Sequence, residues 1–241
     1  MNRQTDGVVA ALVAARRRPA SPGGELVGRQ APAPPGGAPH RRAATRTATT
    51  LVILALALPA AAAPGPLEQT RATLEQTRVI IDSGKPHDQQ LADLATLLAK
   101  FLDTDTMGKA ALDKHWSAFT PAQQKEFLVL FRELFQRTYV QKLLLFERPD
   151  FGYVGEELSA PDQARVDTKI ITPRDEFAVT YRMRRQGDRW LATDIQIEDL
   201  SLTTNFRRQM DRLLATGSTE DLLGRMRRKY GPGGKGGDDV E

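Results

Sequence analysis

The chain has 241 residues, of which 40% are hydrophobic, and it contains no cysteine. This length and composition allow a substantial core in one large domain or two small ones, and they exclude disulfides and thiolate chemistry. A net charge of +4 and a pI of about 9.5 suggest at first a protein that binds nucleic acid. However, residues 1–62 hold eight arginines and two acids, so the remaining chain carries −2 and has no bulk attraction for polyanions.

Residues 1–62 are predicted to be a disordered leader that ends in a signal peptide. Residues 1–46 are rich in arginine, alanine, proline and glycine and have no apolar face. Three arginines close this segment, and an unbroken apolar run, Leu51–Leu58, and several alanines follow. This order predicts secretion to the periplasm with cleavage after Ala62. The long stretch before the arginines is interpreted as a translation start placed too far upstream, and an uncleaved membrane anchor is the alternative for the apolar run.

The segment from residue 67 to about residue 143 is predicted to be helical. A polar-rich helical pattern covers residues 67–100, with a break at residues 83–86, Ser-Gly-Lys-Pro. A short helix is predicted for Asp103–Trp116. Thr120 and Gln123 form a capping box around a proline at the first helical position. The helix that follows has the longest apolar stripe in the chain, which predicts a central position.

After Pro149 the hydrophobic period changes to two, which indicates strands. Alternation is clear in 166–170, 177–184 and 190–197, and weaker in 151–156. The result is about four antiparallel strands with one apolar and one charged face. Because helices precede and follow the strands, they must cover the apolar face, which predicts an α+β fold.

The stretch Asp194–Leu214 joins the sheet to an amphipathic helix. A strand-period pattern ends there, Ser201 is suitably placed to cap the helix, and apolar residues then recur at helical spacing. A last helix is predicted after Ser218. We expect one domain over residues 63–230 and a flexible tail over residues 231–241.

The usual catalytic and metal-binding patterns are missing from the sequence. His87 and His115, the only histidines after the leader, lack metal-ligand spacing. His115 is interpreted as a residue at a helix end that is either hydrogen-bonded or exposed to solvent. Asp194 and Glu198 are interpreted as surface carboxylates. We therefore expect no catalytic residue, no metal and no cofactor. Many bulky apolar residues remain, but periodicity cannot distinguish a packed core from a lined pocket.

Motifs that occur in one order along residues 67–230 resemble the MlaC family, periplasmic phospholipid-binding proteins also called the toluene-tolerance family. They are F-x-D at 101–103, A-L-x-x-x-W at 111–116, T-P-A-Q at 120–123, T-Y at 138–139, a Tyr at 181, W-x-x-x-D-I at 190–195 and I-E-x-x-S-L-x-x-N-F-R-x-Q at 197–209. Asp113 and Asp199 stand where the family typically has glycine.

The resemblance implies an NTF2-like α+β fold whose sheet and helices enclose a deep apolar cavity for acyl chains. It implies that the partners are phospholipid, an inner-membrane ABC transporter complex with an MCE protein, and an outer-membrane lipoprotein complex. Arg207 matches the family arginine and is expected to contact a headgroup or a partner. The residues expected to contact lipid are Phe101, Met107, Trp116, Phe127, Phe131, Tyr139, Val179, Tyr181, Ile195, Phe206 and Met210.

The leading hypothesis is a carrier, not an enzyme, that shuttles phospholipid between the two membranes and so supports outer-membrane lipid asymmetry. A close variant is a carrier of another apolar ligand, such as a hopanoid. Two further alternatives are an NTF2-like enzyme that uses Asp194 or His115 for proton transfer, and an adaptor that binds no ligand.

Overall fold

The computed structural model describes residues 63–145, 149–173 and 175–232. The predicted leader, its cleavage site and residues 233–241 of the predicted tail lie outside the described residues. Within the described ranges, no helix is both long enough and apolar enough to cross a membrane.

The first half of the described chain is helical, as predicted. The break between the first two helices lies at the predicted Ser83–Pro86 segment, where Gly84 adopts φ 65°. At Thr120 the predicted capping box is present: the Gln123 amide donates to the Thr120 hydroxyl at 3.3 Å, and the Thr120 amide donates to the Gln123 side chain at 3.0 Å. The helices are α1 (Pro66–Ile81), α2 (His87–Ala99), α3 (Thr104–Leu112) and α4 (Pro121–Phe135), and α4 continues through a π-helical turn (Gln136–Val140) into a last turn (Gln141–Leu143).

The single helix predicted for Asp103–Trp116 is two helices in the structure. After α3, the chain forms a 3₁₀ helix, Asp113–Ala118. Asp113 has φ 46° and ψ −118°, a conformation that side chains other than glycine disfavour and that ends the α-helical hydrogen bonding. The apolar residues keep helical spacing on both sides of Asp113, so the sequence pattern does not reveal that the α-helix ends there.

Asp103 links α3 to the sheet. Its carboxylate accepts hydrogen bonds from the Thr106 amide at 2.9 Å, which caps α3, and from Arg184 at 2.9 Å. Burial acts to raise the pKa of Asp103, but the hydrogen bonds from Thr106 and Arg184 outweigh burial and lower the pKa from its usual value.

The strands form one antiparallel sheet in sequence order, β1-β2-β3-β4-β5. The α+β fold with an antiparallel sheet is confirmed, although five strands are present where about four were predicted. The additional strand has only two residues, too few to show a period. The strands are β1 (Asp150–Ala160), β2 (Gln163–Ile171), β3 (Glu176–Gln186), β4 (Arg189–Ile197) and β5 (Leu200–Ser201).

The sheet has a buried inner face and a more polar outer face. In register, Val166 lies opposite Tyr181, which lies opposite Ile195, and all three belong to the inner face. After β5, the chain enters α5 (Leu202–Thr216), where the Ser201 hydroxyl accepts from the Thr204 amide at 3.0 Å, and then α6 (Thr219–Tyr230). The helices pack on the inner face, so the hydrophobic core lies between the two layers.

Candidate functional site

A cavity lies between the inner face of the sheet and the helices that cover it. Strands β1 to β4 form one wall, and α1, the end of α2 and the C-terminal turns of the α4 region form the other. The lining residues are Thr73, Leu74, Thr77, Leu98, Phe101, Leu102, Phe135, Tyr139, Val140, Lys142, Leu143, Phe151, Ile170, Val179, Tyr181, Ile195, Ile197 and Leu202.

The cavity is strongly apolar and partly open. About 790 Å³ of empty space lies within its walls when the open mouth is included, but the centre of a water molecule has only about 90 Å³ in which to move. The smaller value measures the enclosed space better, and it corresponds to room for roughly six to nine water molecules. The cavity is therefore a narrow cleft in this conformation.

Helix α1 presents threonines to the interior where large apolar residues would be usual. The hydroxyls of Thr70, Thr73 and Thr77 each donate to the carbonyl oxygen four residues earlier, at 2.8, 2.9 and 2.9 Å. Thr73 and Thr77 line the cavity. Because each hydroxyl proton is used inside the helix, these side chains are compatible with an apolar space.

The polar groups in the wall are few. Burial raises the pKa of Tyr139 to about 12 and the pKa of Tyr181 to about 12, so both phenols are protonated at neutral pH. Lys142, which is half-buried, is the one lining residue with a charged side chain in the part of the chain that the structure describes. No group of three or more histidine or acidic residues suited to a metal ion occurs among the described residues.

Comparisons with known proteins agree with this architecture. The family model described as MlaC protein matches residues 71–228, more than half of the chain. The chain belongs to the MlaC family. Among solved structures, it is similar to a phospholipid-binding protein from Ralstonia solanacearum, determined in complex with a phospholipid at 1.53 Å resolution. The TM-score is 0.58 at 21% identity, over 66% of this chain and 93% of the other. No curated protein matches the chain.

Five of the residues predicted from the MlaC resemblance to contact lipid line the cavity. They come from the α2–α3 junction, the π-helical turn and the two central strands: Phe101, Tyr139, Val179, Tyr181 and Ile195. Phe101 and Tyr181 also touch each other, with ring centroids 5.6 Å apart. The structure thus brings together residues that are widely separated in sequence, and their contact with lipid stays a prediction.

The other six predicted residues lie outside the lining. Phe127, Phe131 and Phe206 are fully buried in an aromatic core between helices, where Phe131 and Phe206 have ring centroids 5.0 Å apart. Met107 and Met210 are also buried in the core, and half-buried Trp116 packs under the Lys109 ammonium. The reason is that α3, α4 and α5 pack on one another, so an inward-facing position often meets a helix.

Arg207 does not line the cavity either. Its guanidinium donates to the Ala110 carbonyl at 3.1 Å, near the end of α3, and lies 3.7 Å from the Asp113 carboxylate. This arginine therefore holds α5 against the end of α3, beside the unfavourable backbone at Asp113. At the second position where the MlaC family has glycine, Asp199, φ is not positive, and Glu198 adopts φ 52° in its place.

The residues considered as catalytic candidates have structural partners. His115 Nε2 lies 2.8 Å from the Asp211 carboxylate. Asp194 accepts hydrogen bonds from the Ser201 hydroxyl at 2.6 Å and from the Thr203 amide at 3.0 Å, at the start of α5. None of them lines the cavity.

Sequence reasoning missed most of the helical wall. Leu98, Phe135 and Leu143 belong to recognised apolar stripes, but spacing alone did not distinguish them from core residues. Thr73 and Thr77 were missed because they count as polar. Their spacing of four residues on a helix is the signal that identifies a common face.

Proposed function

We propose that this protein is a periplasmic phospholipid carrier that holds acyl chains in the cavity between its sheet and its helices. The observation that carries the proposal is the apolar cleft itself, in a chain of the MlaC family. The similar Ralstonia protein, which was determined with a phospholipid, supports the same ligand class.

The energetics of lipid transfer favour a carrier that docks for exchange. Two acyl chains with about thirty buried methylenes, at about 0.8 kcal/mol each, correspond to a transfer free energy on the order of 20 kcal/mol. Release into water would therefore be extremely slow. Exchange needs a partner whose apolar surface continues that of the cavity, and the family resemblance suggests an inner-membrane ABC transporter complex with an MCE protein and an outer-membrane lipoprotein complex.

Loading requires the walls to move apart. The enclosed room of about 90 Å³ is well below the roughly 300–1,000 Å³ typical of ligand pockets and is too small for a diacyl lipid. We expect acyl chains to widen the cleft between the sheet and the helices as they enter.

A carrier fits the cavity better than an enzyme. The two groups considered for proton transfer, Asp194 and His115, lie outside the lining and take part in structural contacts. General acid–base chemistry needs a group within hydrogen-bond reach of the substrate, and an acyl chain in this cavity would reach neither.

The test is native mass spectrometry with lipid extraction. The full chain is produced in a bacterium with two membranes and purified without detergent. A stoichiometric adduct with the mass of a phospholipid is expected, and a polypeptide that begins at Ala63 would support secretion. An adduct with the mass of a polycyclic lipid would keep the carrier and change its ligand class. An empty protein that also takes up nothing from phosphatidylglycerol vesicles would contradict the proposal.

A further inference from the structure

The C-terminal part of α4 contains a rare form of helix. Over Gln136–Val140 the backbone is π-helical: the Gln141 N–H donates to the Gln136 carbonyl, five residues earlier, whereas an α-helix would use the carbonyl four residues earlier. Well under 1% of residues in globular proteins are π-helical, and such turns are frequent at functional sites, so this one calls for an explanation.

The π-helical turn lies between two parts of the helix that have different surroundings. Upstream, Phe127 and Phe131 are fully buried in the aromatic core between helices. Downstream, Lys142 and Leu143 are half-buried in the cavity wall, and Leu145, just beyond them, is 66% exposed. The π-helical turn therefore joins a segment fixed in the core to a segment at the mouth of the cavity.

Helix α1, which forms another part of the helical wall, is tied to the sheet near both of its ends. Near its start, the Gln69 side chain exchanges two hydrogen bonds with the backbone of Trp190 on β4. Near its end, the Arg78 guanidinium donates to the Asp150 carboxylate on β1 at 3.2 Å. Because these bonds connect α1 to two different strands, we expect α1 to move with the sheet.

A kink at the π-helical turn would widen the mouth without disturbing the core. Sharp kinks in helices occur at a small number of features, and a π-helical turn is one of them. A kink there swings Lys142 and Leu143 away from the sheet, while Phe127 and Phe131 stay packed. The space between the sheet and the helices then increases at the mouth, where acyl chains enter.

We propose that the π-helical turn, Gln136–Val140, is the hinge of a gate, and that the gate is the segment 141–145 at the mouth of the cavity. The gate swings outward to admit or release an acyl chain and closes against the sheet afterwards. This inference rests on the proposed function and adds to it the element that moves during loading.

The first experiment stiffens the hinge and measures lipid exchange. Full-length protein loaded with phosphatidylglycerol is mixed with vesicles of chain-deuterated phosphatidylglycerol, and native mass spectrometry follows the replacement of the light lipid by the heavy one. Deletion of Thr138 removes one residue from the hinge and restores α-helical hydrogen bonding. One backbone hydrogen bond contributes about 1 kcal/mol, so exchange should be about 5-fold slower. Thr138→Ala, which keeps the number of residues, is the control and should exchange lipid at close to the wild-type rate.

The second experiment loosens the hinge. Glycine destabilises a helix by about 1 kcal/mol relative to alanine, so Thr138→Gly should exchange lipid about 5-fold faster than Thr138→Ala. Amide hydrogen exchange of the unloaded protein should show the same ratio over residues 139–145 and no difference over α1. Lys125→Gly and Lys125→Ala are the matched controls at an exposed position of α4 upstream of the hinge, and they should exchange lipid at equal rates.

The outcomes distinguish this inference from the proposed function. If no lipid loads, the carrier is contradicted, and hydrogen exchange of the unloaded protein still decides the hinge. If lipid loads and the two Thr138 substitutions exchange it at equal rates, the carrier stands and the gate is overturned. Faster hydrogen exchange over α1 in place of residues 139–145 would show that the other wall moves and would also overturn the gate. If circular dichroism shows that the deletion variant does not fold, the glycine and alanine pair decides.

Discussion

Val179→Trp should weaken lipid binding by roughly 100-fold without unfolding the protein. Val179 is 2% exposed, lies near the middle of β3 and faces the cavity. The indole is larger than the isopropyl group by the bulk of about four methylenes, and at about 0.8 kcal/mol per methylene that is displaced the loss is about 3 kcal/mol. This corresponds to roughly 100- to 200-fold in Kd.

The assay is a native mass spectrometry titration with phosphatidylglycerol, and far-ultraviolet circular dichroism checks that the variant is folded. Ala178→Trp is the matched control, because it adds the same ring to the residue directly before Val179, and that residue is exposed on the opposite face of the strand. The control should bind as the wild type does. A folded Val179→Trp variant with wild-type affinity would refute the assignment of this cavity as the lipid site.

Three further predictions concern stability. Asp113→Gly should raise the free energy of unfolding by about 1 kcal/mol in urea, because relief of a backbone strain of about 1–3 kcal/mol outweighs an exposed ion pair with Arg207 worth at most about 1 kcal/mol. Asp113→Ala should show no such gain. Gly108→Val should lower that free energy by about 2 kcal/mol, since an added Cβ would lie 2.9 Å from the end of the Leu128 side chain and 3.1 Å from the fully buried Phe131 ring, and an unchanged urea midpoint would contradict this close approach. Because the pKa of Asp103 in the folded protein is lowered from its usual value of 3.8, its contribution to stability is complete at neutral pH and is lost as the pH falls below about 4. Asp103→Asn should therefore reduce the loss of stability over that range in acid unfolding, and an identical acid profile would contradict the argument.

The secondary structure was largely predictable because its signals are local. The capping box at Thr120, the cap at Ser201 and the break after α1 each depend on a few adjacent residues, and the structure has all three. The turn at Asp113 and the strand β5 were not predictable in this way. One depends on a single backbone angle, and the other on pairing with the end of β4.

The site was predictable only in part, because a period indicates which side of an element faces inward and not what it faces. Tyr181 and Met210 are both inward-facing and buried, yet Tyr181 meets the cavity and Met210 lies outside its lining. That difference depends on how the helices cross the sheet. Tyr139 and Phe206, whose ring centroids lie 5.7 Å apart, are distant in sequence, so their contact arises only from the tertiary fold.

The threonine face of α1 also bears on selectivity for chain length. With their hydroxyl protons used inside the helix, Thr73 and Thr77 can offer methyl groups to whatever lies against them. An alkyl chain bound there has no fixed polar point to register against, and it can slide by one carbon without breaking any hydrogen bond of the protein. This wall therefore interacts with the total apolar surface of a chain and does not distinguish the positions of its individual carbons. We expect it to accept acyl chains of different lengths.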